Sequence, residues 1–142
     1  MTLIEATPNL DWLLLTKRPQ NIVRMVQDHG AIAGNGARYL PVNAQLGTTA
    51  EDQERANLNI PALLRAKAAL GAKVAFISME PLLAPVTLRP EWITRWPARQ
   101  ADVRAGGLPP LDQVIVGGES GHGARPMHPD WARSLRDQCA SA

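Results

Sequence analysis

A fully apolar run, Val114-Ile115-Val116, leads directly into Gly117-Gly118-Glu119-Ser120-Gly121-His122-Gly123-Ala124-Arg125-Pro126, which sets a carboxylate, a hydroxyl, an imidazole and a guanidinium in one glycine-rich loop. Two other apolar runs end on polar residues in the same manner. Leu13-Leu14-Leu15 passes into Thr16-Lys17-Arg18-Pro19, and Val74-Ala75-Phe76-Ile77 passes into Ser78-Met79-Glu80-Pro81; Val42 to Thr49 repeats the pattern more weakly. These residue types could serve anion binding, acyl transfer, acid/base catalysis or metal ligation, and their spacing bears on each.

Glycines let backbone amides approach an anion, yet a phosphate loop closes on Gly-Lys-Ser/Thr. Here Gly123 is followed by Ala124-Arg125, and Glu119 inside the loop repels phosphate. A nucleophile elbow needs glycine two residues after its serine and an immediate helix. His122 stands at that position, and the next helical pattern waits until Pro129. Glu80 and Glu119 form a candidate acid/base pair of the type that cleaves glycosidic bonds. With His122 and His128 they would make an oxygen and nitrogen metal set, but without the fixed helical spacing of strong metal motifs, so no metal ligands are assigned. Lys17-Arg18 is a candidate receptor for an anionic group. The expected ligand-binding rim therefore comprises Lys17, Arg18, Thr48, Glu80, Gly117, Gly118, Glu119, Ser120 and Arg125, with no catalytic residue assigned.

Positioning such residues requires parallel strands. The runs Trp12 to Leu15, Val74 to Ile77 and Val114 to Val116 lack polar alternation, as expected of strands covered on both faces. Pro19 opens a helix carrying Ile22, Val23, Met25 and Val26, and Gly30 stops it. Thr48 and Glu51 have the spacing of a capping box for a second helix. Pro61 is expected to interrupt that helix and Gly71 to end it. Residues 88–110 form an irregular excursion with a short helix from Glu91; Trp92 and Trp96 are expected to pin it to the body, and Arg89, Arg95, Arg99 and Arg104 to form a solvated surface. A last helix starts at Pro129 with Trp131, Leu135 and Cys139 on one face. Four consecutive βα units predict an α/β fold with a parallel sheet, either half of a TIM-type barrel or a small doubly wound sheet. In both, ligands gather at the carboxyl ends of the strands.

The 142 residues, 45% of them apolar, match one ordinary domain spanning 1–142. A closed barrel needs about 250 residues, so 142 cannot complete one. No apolar run reaches the roughly 18 to 20 residues of a membrane helix, no signal segment is present, and a cytoplasmic location is expected. The lone cysteine, Cys139, excludes an internal disulfide framework and is expected to be a small buried residue. Fifteen basic residues against thirteen acidic ones leave the question of nucleic acid open. Open strand edges predict self-association.

The segments Asp11-Trp12-Leu13-Leu14-Leu15-Thr16-Lys17-Arg18-Pro19, Leu46-Gly47-Thr48-Thr49-Ala50-Glu51-Asp52-Gln53, Ser78-Met79-Glu80-Pro81-Leu82-Leu83 and Val114 to Met127 occur in one order along the chain. Together they resemble the carboxyl-terminal half of the phage-associated three-cysteine-motif proteins, the gene-product thirty-seven/sixty-eight family. The resemblance implies a protein of mobile elements and bacterial genomes with no assigned biochemical role. It also implies a distant likeness to radical S-adenosylmethionine enzymes and their partial β/α barrel, with three cysteines for an iron-sulfur cluster ahead of the matched region. An intact member would then use that cluster, with S-adenosylmethionine as a further expected cofactor. This chain holds neither, and is expected to be inactive without the missing half or a partner subunit. The alternative is a non-catalytic module of a mobile element that binds a nucleotide, nucleic acid or protein.

Overall fold

The computed structural model describes residues 3–94 and 107–142. In chain order the elements are α1 (Leu3–Ala6), β1 (Trp12–Thr16), a 3-10 turn (Pro19–Asn21), α2 (Ile22–His29), β2 (Ala31–Ile32), β3 (Arg38–Tyr39), β4 (Ala44–Thr49), α3 (Gln53–Leu70), β5 (Ala75–Met79), α4 (Pro90–Ile93), β6 (Gln113–Val116) and α5 (Pro129–Ala140). Strands β1, β4, β5 and β6 form one sheet in that spatial order, every pair parallel. The fold is thus α/β, as the sequence predicts. Its strand order advances without the reversal that defines a doubly wound sheet. The small antiparallel pair β2–β3 and the helix α1 have no counterpart in the sequence reading.

The pleat sorts the strands' side chains into two faces. Leu46, Ala75, Ile77 and Met79, with Val114 and Val116 beside them, meet Ile22, Ile60, Leu63, Leu64 and Leu135 in the core beneath the helices. On the opposite face lie Leu13, Leu15, Gly47, Phe76 and Ile115. Cover on both faces was expected of β1, but Leu13 and Leu15 remain 51% and 52% exposed. Connections that always step the same way across the sheet, with right-handed crossovers, bring their helices to one face only. Phe76 is nevertheless buried, its ring seated directly over Gly47 on the neighbouring strand, in the space a side chain there would fill.

Helix α3 departs from expectation at its start and its middle. Asp52, not Thr48, is the N-cap: its carboxylate accepts a hydrogen bond from the Arg55 amide at 2.8 Å. Thr48 instead belongs to β4, and Glu51 engages side chains of the strand ends. Pro61 does not interrupt the helix, which continues to Leu70. The carbonyl deprived of its amide partner belongs to Asn57, an exposed residue whose surroundings include water, so the cost of an interior proline is reduced. Gly71, with φ of 61°, ends the helix in the left-handed conformation as expected.

Between β5 and β6 the described residues add to the core. Leu82, Val86, Leu88, Trp92 and Leu111 are all buried, and Arg89 stacks over the Trp92 ring at 5.0 Å. Trp92 pins this segment to the body; Trp96, Arg95, Arg99 and Arg104 lie outside the described residues. A polar node closes the segment: Lys67, its side chain 9% exposed, donates to Asp112 at 2.6 Å and to the Pro110 carbonyl at 2.8 Å, while Asp112 accepts the Ala75 amide at 2.7 Å. On α5, Leu135 is buried and Trp131 partly so, but Cys139, in the last turn of the helix, is exposed.

Two stability predictions follow from this packing. Gly47→Ala drives a methyl group into the Phe76 ring and should cost about 1–3 kcal/mol; adding Phe76→Leu should recover part of the loss, as read by denaturant unfolding of both single variants and the double variant. Asp112→Ala leaves the Lys67 ammonium buried beside an unpaired Ala75 amide and should cost about 3–5 kcal/mol, whereas Arg24→Ala on the exposed face of α2 should be near neutral in the same measurement.

Candidate functional site

Because the sheet is parallel and in register, the residues that follow each strand emerge at one edge. Thr16, Thr48, Ile77 and Val114 share a register row, and Lys17, Thr49, Ser78 and Ile115 lie one step further along. A cleft of about 550 Å³ opens on this rim, lined by Lys17, Thr49, Glu51, Asp52, Arg55, Asn59, Glu119 and Arg125, with Pro81 and Leu83 at its wall. Three βα connections and the turn after β5 therefore contribute to one concavity, at the strand ends where parallel α/β proteins bind ligands.

The loop after β6 is shaped around one carboxylate. Glu119 accepts three hydrogen bonds from Arg125: from the backbone amide at 2.8 Å, from Nε at 2.8 Å and from Nη2 at 2.8 Å. Such a two-pronged charge-assisted fork is the strongest common pairing of these groups. It closes the loop between them, which turns through Gly121 and Gly123 at φ of 101° and 78°, values that side chains resist. The hydrogen bonds from Arg125 bring the Glu119 carboxyl down to about 2 and raise the Arg125 guanidinium in return. Glu119 is consequently an anion at every physiological pH and unsuited to general acid or base work.

On the other side of the cleft, Glu51 accepts the Thr49 hydroxyl at 3.2 Å and Lys17 Nζ at 3.4 Å. The Glu51 side chain is 18% exposed, Lys17 79%. Asn59, buried, donates to the Thr49 carbonyl at 2.9 Å and fixes the first turns of α3 against the end of β4. Arg55 projects from the same helix and makes no side-chain hydrogen bond or ion pair among the described residues.

Of the residues expected at the rim, Lys17, Glu119 and Arg125 line this cleft together. Glu80 stands next to them, after β5, with its carboxylate against Gly117 and within 3.2 Å of the Ser78 hydroxyl. Gly117 is the position where the lack of a side chain admits that carboxylate. Gly118 and Ser120 are exposed in the loop, and Arg18 is exposed outside the cleft. Thr48 is not available to a ligand: fully buried, it donates to the Thr16 carbonyl at 2.8 Å and ties β4 to β1. The cleft residue is its neighbour Thr49. Strand parity carried that signal, since Thr48 lies two residues from the core residue Leu46 and so shares its face. Asp52, Arg55 and Asn59 were also missed, although spacings of three and four place them on one face of the first helical turns. His122 is exposed on the loop; His128 sits at the start of α5, accepting the Asp130 amide at 3.2 Å with its ring 6.1 Å from Trp131.

The fork makes a direct prediction. A carboxyl whose folded value lies below its ordinary one stabilises the fold above the ordinary range and loses that contribution as the pH falls through the folded value. Carbon-detected NMR should place the Glu119 midpoint at about 2, and Arg125→Gln should return it to the ordinary range of about 4.3. An unchanged midpoint in that variant would assign the shift to something other than the fork.

No curated protein and no solved structure matches the chain. A family model does, over residues 1–142, and the chain belongs to that family, DUF5131, described as a protein of unknown function.

Proposed function

We propose that this chain is the ligand-binding portion of a partial β/α barrel, in which the rim cleft holds a small polar molecule and the chain performs no redox chemistry by itself. The single observation that supports the reading is the meeting of Lys17, Glu51, Arg55, Glu119 and Arg125 in one cleft, from segments far apart in sequence. The sequential parallel order β1-β4-β5-β6 is the order of consecutive barrel strands. It supports the half-barrel reading and the likeness to phage-type, radical-enzyme-like proteins drawn from the motifs.

The cofactors of that likeness do not fit the residues present. An iron-sulfur cluster is held by cysteine thiolates. The sequence has one cysteine, Cys139, on α5, where it lines a groove against β6. Partial burial raises its thiol further, which keeps it protonated. For S-adenosylmethionine, a cation, the cleft offers carboxylates that protein donors already engage, and among the described residues its lining includes no aromatic ring for the adenine. A cluster and its radical chemistry would have to come from other cysteines, on a further segment or a partner subunit. The described residues that line the cleft bind and orient, since each of its carboxylates is already engaged by a protein donor.

Purified chain incubated with iron, sulfide and reductant under anaerobic conditions should develop no cluster absorbance or electron paramagnetic resonance signal, and should not cleave S-adenosylmethionine. Reconstitution of a cluster on this chain alone, or its cleavage of that cofactor, would overturn the proposal.

A further inference from the structure

The lining of the rim cleft is formally neutral, with Lys17, Arg55 and Arg125 against Glu51, Asp52 and Glu119. The hydrogen-bonding capacity is not balanced in the same way. Every carboxylate already receives a donor from the protein: Glu119 accepts three hydrogen bonds, Glu51 accepts two, and Asp52 caps α3. The cations are less engaged. An ammonium carries three donors and a guanidinium five. Lys17 uses one of its donors, in a long 3.4 Å contact, while its side chain is 79% exposed. Arg125 commits Nε and Nη2 to Glu119, which leaves the opposite edge of its guanidinium open and its orientation fixed. Arg55 has no side-chain partner among the described residues.

Resting on the rim-binding reading above, we propose that the cleft is an oxyanion site, which takes a small molecule through a carboxylate or phosphate group held by Lys17, Arg55 and the free edge of Arg125. Glu119 is a positioning residue in this arrangement: it touches no ligand but holds the Arg125 fork in place. Glu51 tethers Lys17 loosely enough to release it when an anion enters. A positively charged ligand would have to compete for the second oxygens of Glu51 and Asp52, which carry no hydrogen bond among the described residues, whereas the three cations leave most of their donors open to an anion.

The test uses the full chain, isotope-labelled, in amide-detected NMR titrations with three probes: inorganic phosphate, malonate and putrescine. Phosphate and malonate should move the amides of Lys17, Glu51, Arg55 and Arg125, less so as the ionic strength rises, and the stronger of the two assigns the ligand group. Arg55→Ala should weaken that binding about tenfold, the loss of one charge-assisted hydrogen bond. Arg24→Ala on α2 should leave it unchanged. Glu119→Gln should also weaken binding; its amide spectrum outside residues 117–126 should match that of the parent chain, which separates loss of positioning from loss of the fold, and a lower unfolding midpoint is expected from the broken fork. If putrescine alone moves the cleft amides, the rim reading stands and the oxyanion inference falls. If no probe moves them, both fall. Anion binding that Arg55→Ala and Glu119→Gln leave untouched would overturn the inference by locating the anion elsewhere.

Discussion

The in-register parallel pairing of β1, β4, β5 and β6 is the constraint from which the rest of the structure follows. Parallel strands start at one edge and finish at the other, so whatever follows their last residues shares one side of the molecule. Thr48 enforces this at the least protected pairing: its buried hydroxyl on the Thr16 carbonyl ties the edge strand β1 to β4 at their carboxyl ends. At the other edge Asp112, just before β6, accepts the amide of Ala75, the first residue of β5, and holds Lys67 of α3, so β6 enters at a defined register. Sliding either strand by one residue would turn its core face outward. It would also withdraw Lys17 or Glu119 from the cleft, so packing and site geometry rest on the same hydrogen bonds.

Electrostatics then divides the carboxylates by task. Asp112 shares the Lys67 charge in the interior, Asp52 caps α3, Glu51 gathers the ends of β1 and β4, and Glu119 folds a loop around Arg125. Each is engaged in holding backbone or another side chain. Acid/base catalysis needs a carboxyl whose proton affinity is raised toward neutrality, and Glu119 is displaced the opposite way by its partner. Chemistry by a carboxylate pair is therefore disfavoured by the same interactions that order the rim, whereas recognition of a ligand by fixed cationic groups is favoured by them.

Much of this was legible in the residues. Apolar runs ending in Thr16-Lys17, Ser78-Met79-Glu80 and Gly117-Gly118-Glu119 marked the strands and their functional ends, and Gly30, Gly71 and Pro129 marked helix boundaries. What escaped depended on partners distant in sequence or on local competition. Thr48-x-x-Glu51 has the form of a capping box, but the register of β4 carries the strand through Thr49, and Asp52 then offers a nearer cap. Pro61 reads as a break because propensity is local, while α3 is held by Ile60, Leu63 and Leu64 in the core on either side of it. Cys139 shares a helical face with Trp131 and Leu135, but periodicity gives the face and not how far along the helix its cover extends. The Glu119–Arg125 fork spans six residues in a loop, where no regular spacing predicts that side chains meet.

The two sheet faces explain why the site lies at the rim rather than on the flat of the sheet. Beneath the helices Leu46, Ile77 and Met79 are fully packed, and the groove on that face lies to one side, between β6 and α5, with a largely apolar lining. On the opposite face Leu13, Leu15, Phe76 and Ile115 share the surface with Gln45 and Gln113, and the Phe76 ring fills the space over Gly47, so that face is largely apolar in its middle rows. At the carboxyl-terminal end the buried Thr49 and Ser78 stand beside Glu51 and Glu80, and the exposed Lys17 reaches Glu51. There the strands end and backbone pairing no longer dictates side-chain direction. Apolar rows behind and charged groups in front give that edge a low-dielectric wall against which fixed cations act more strongly than they would in open water.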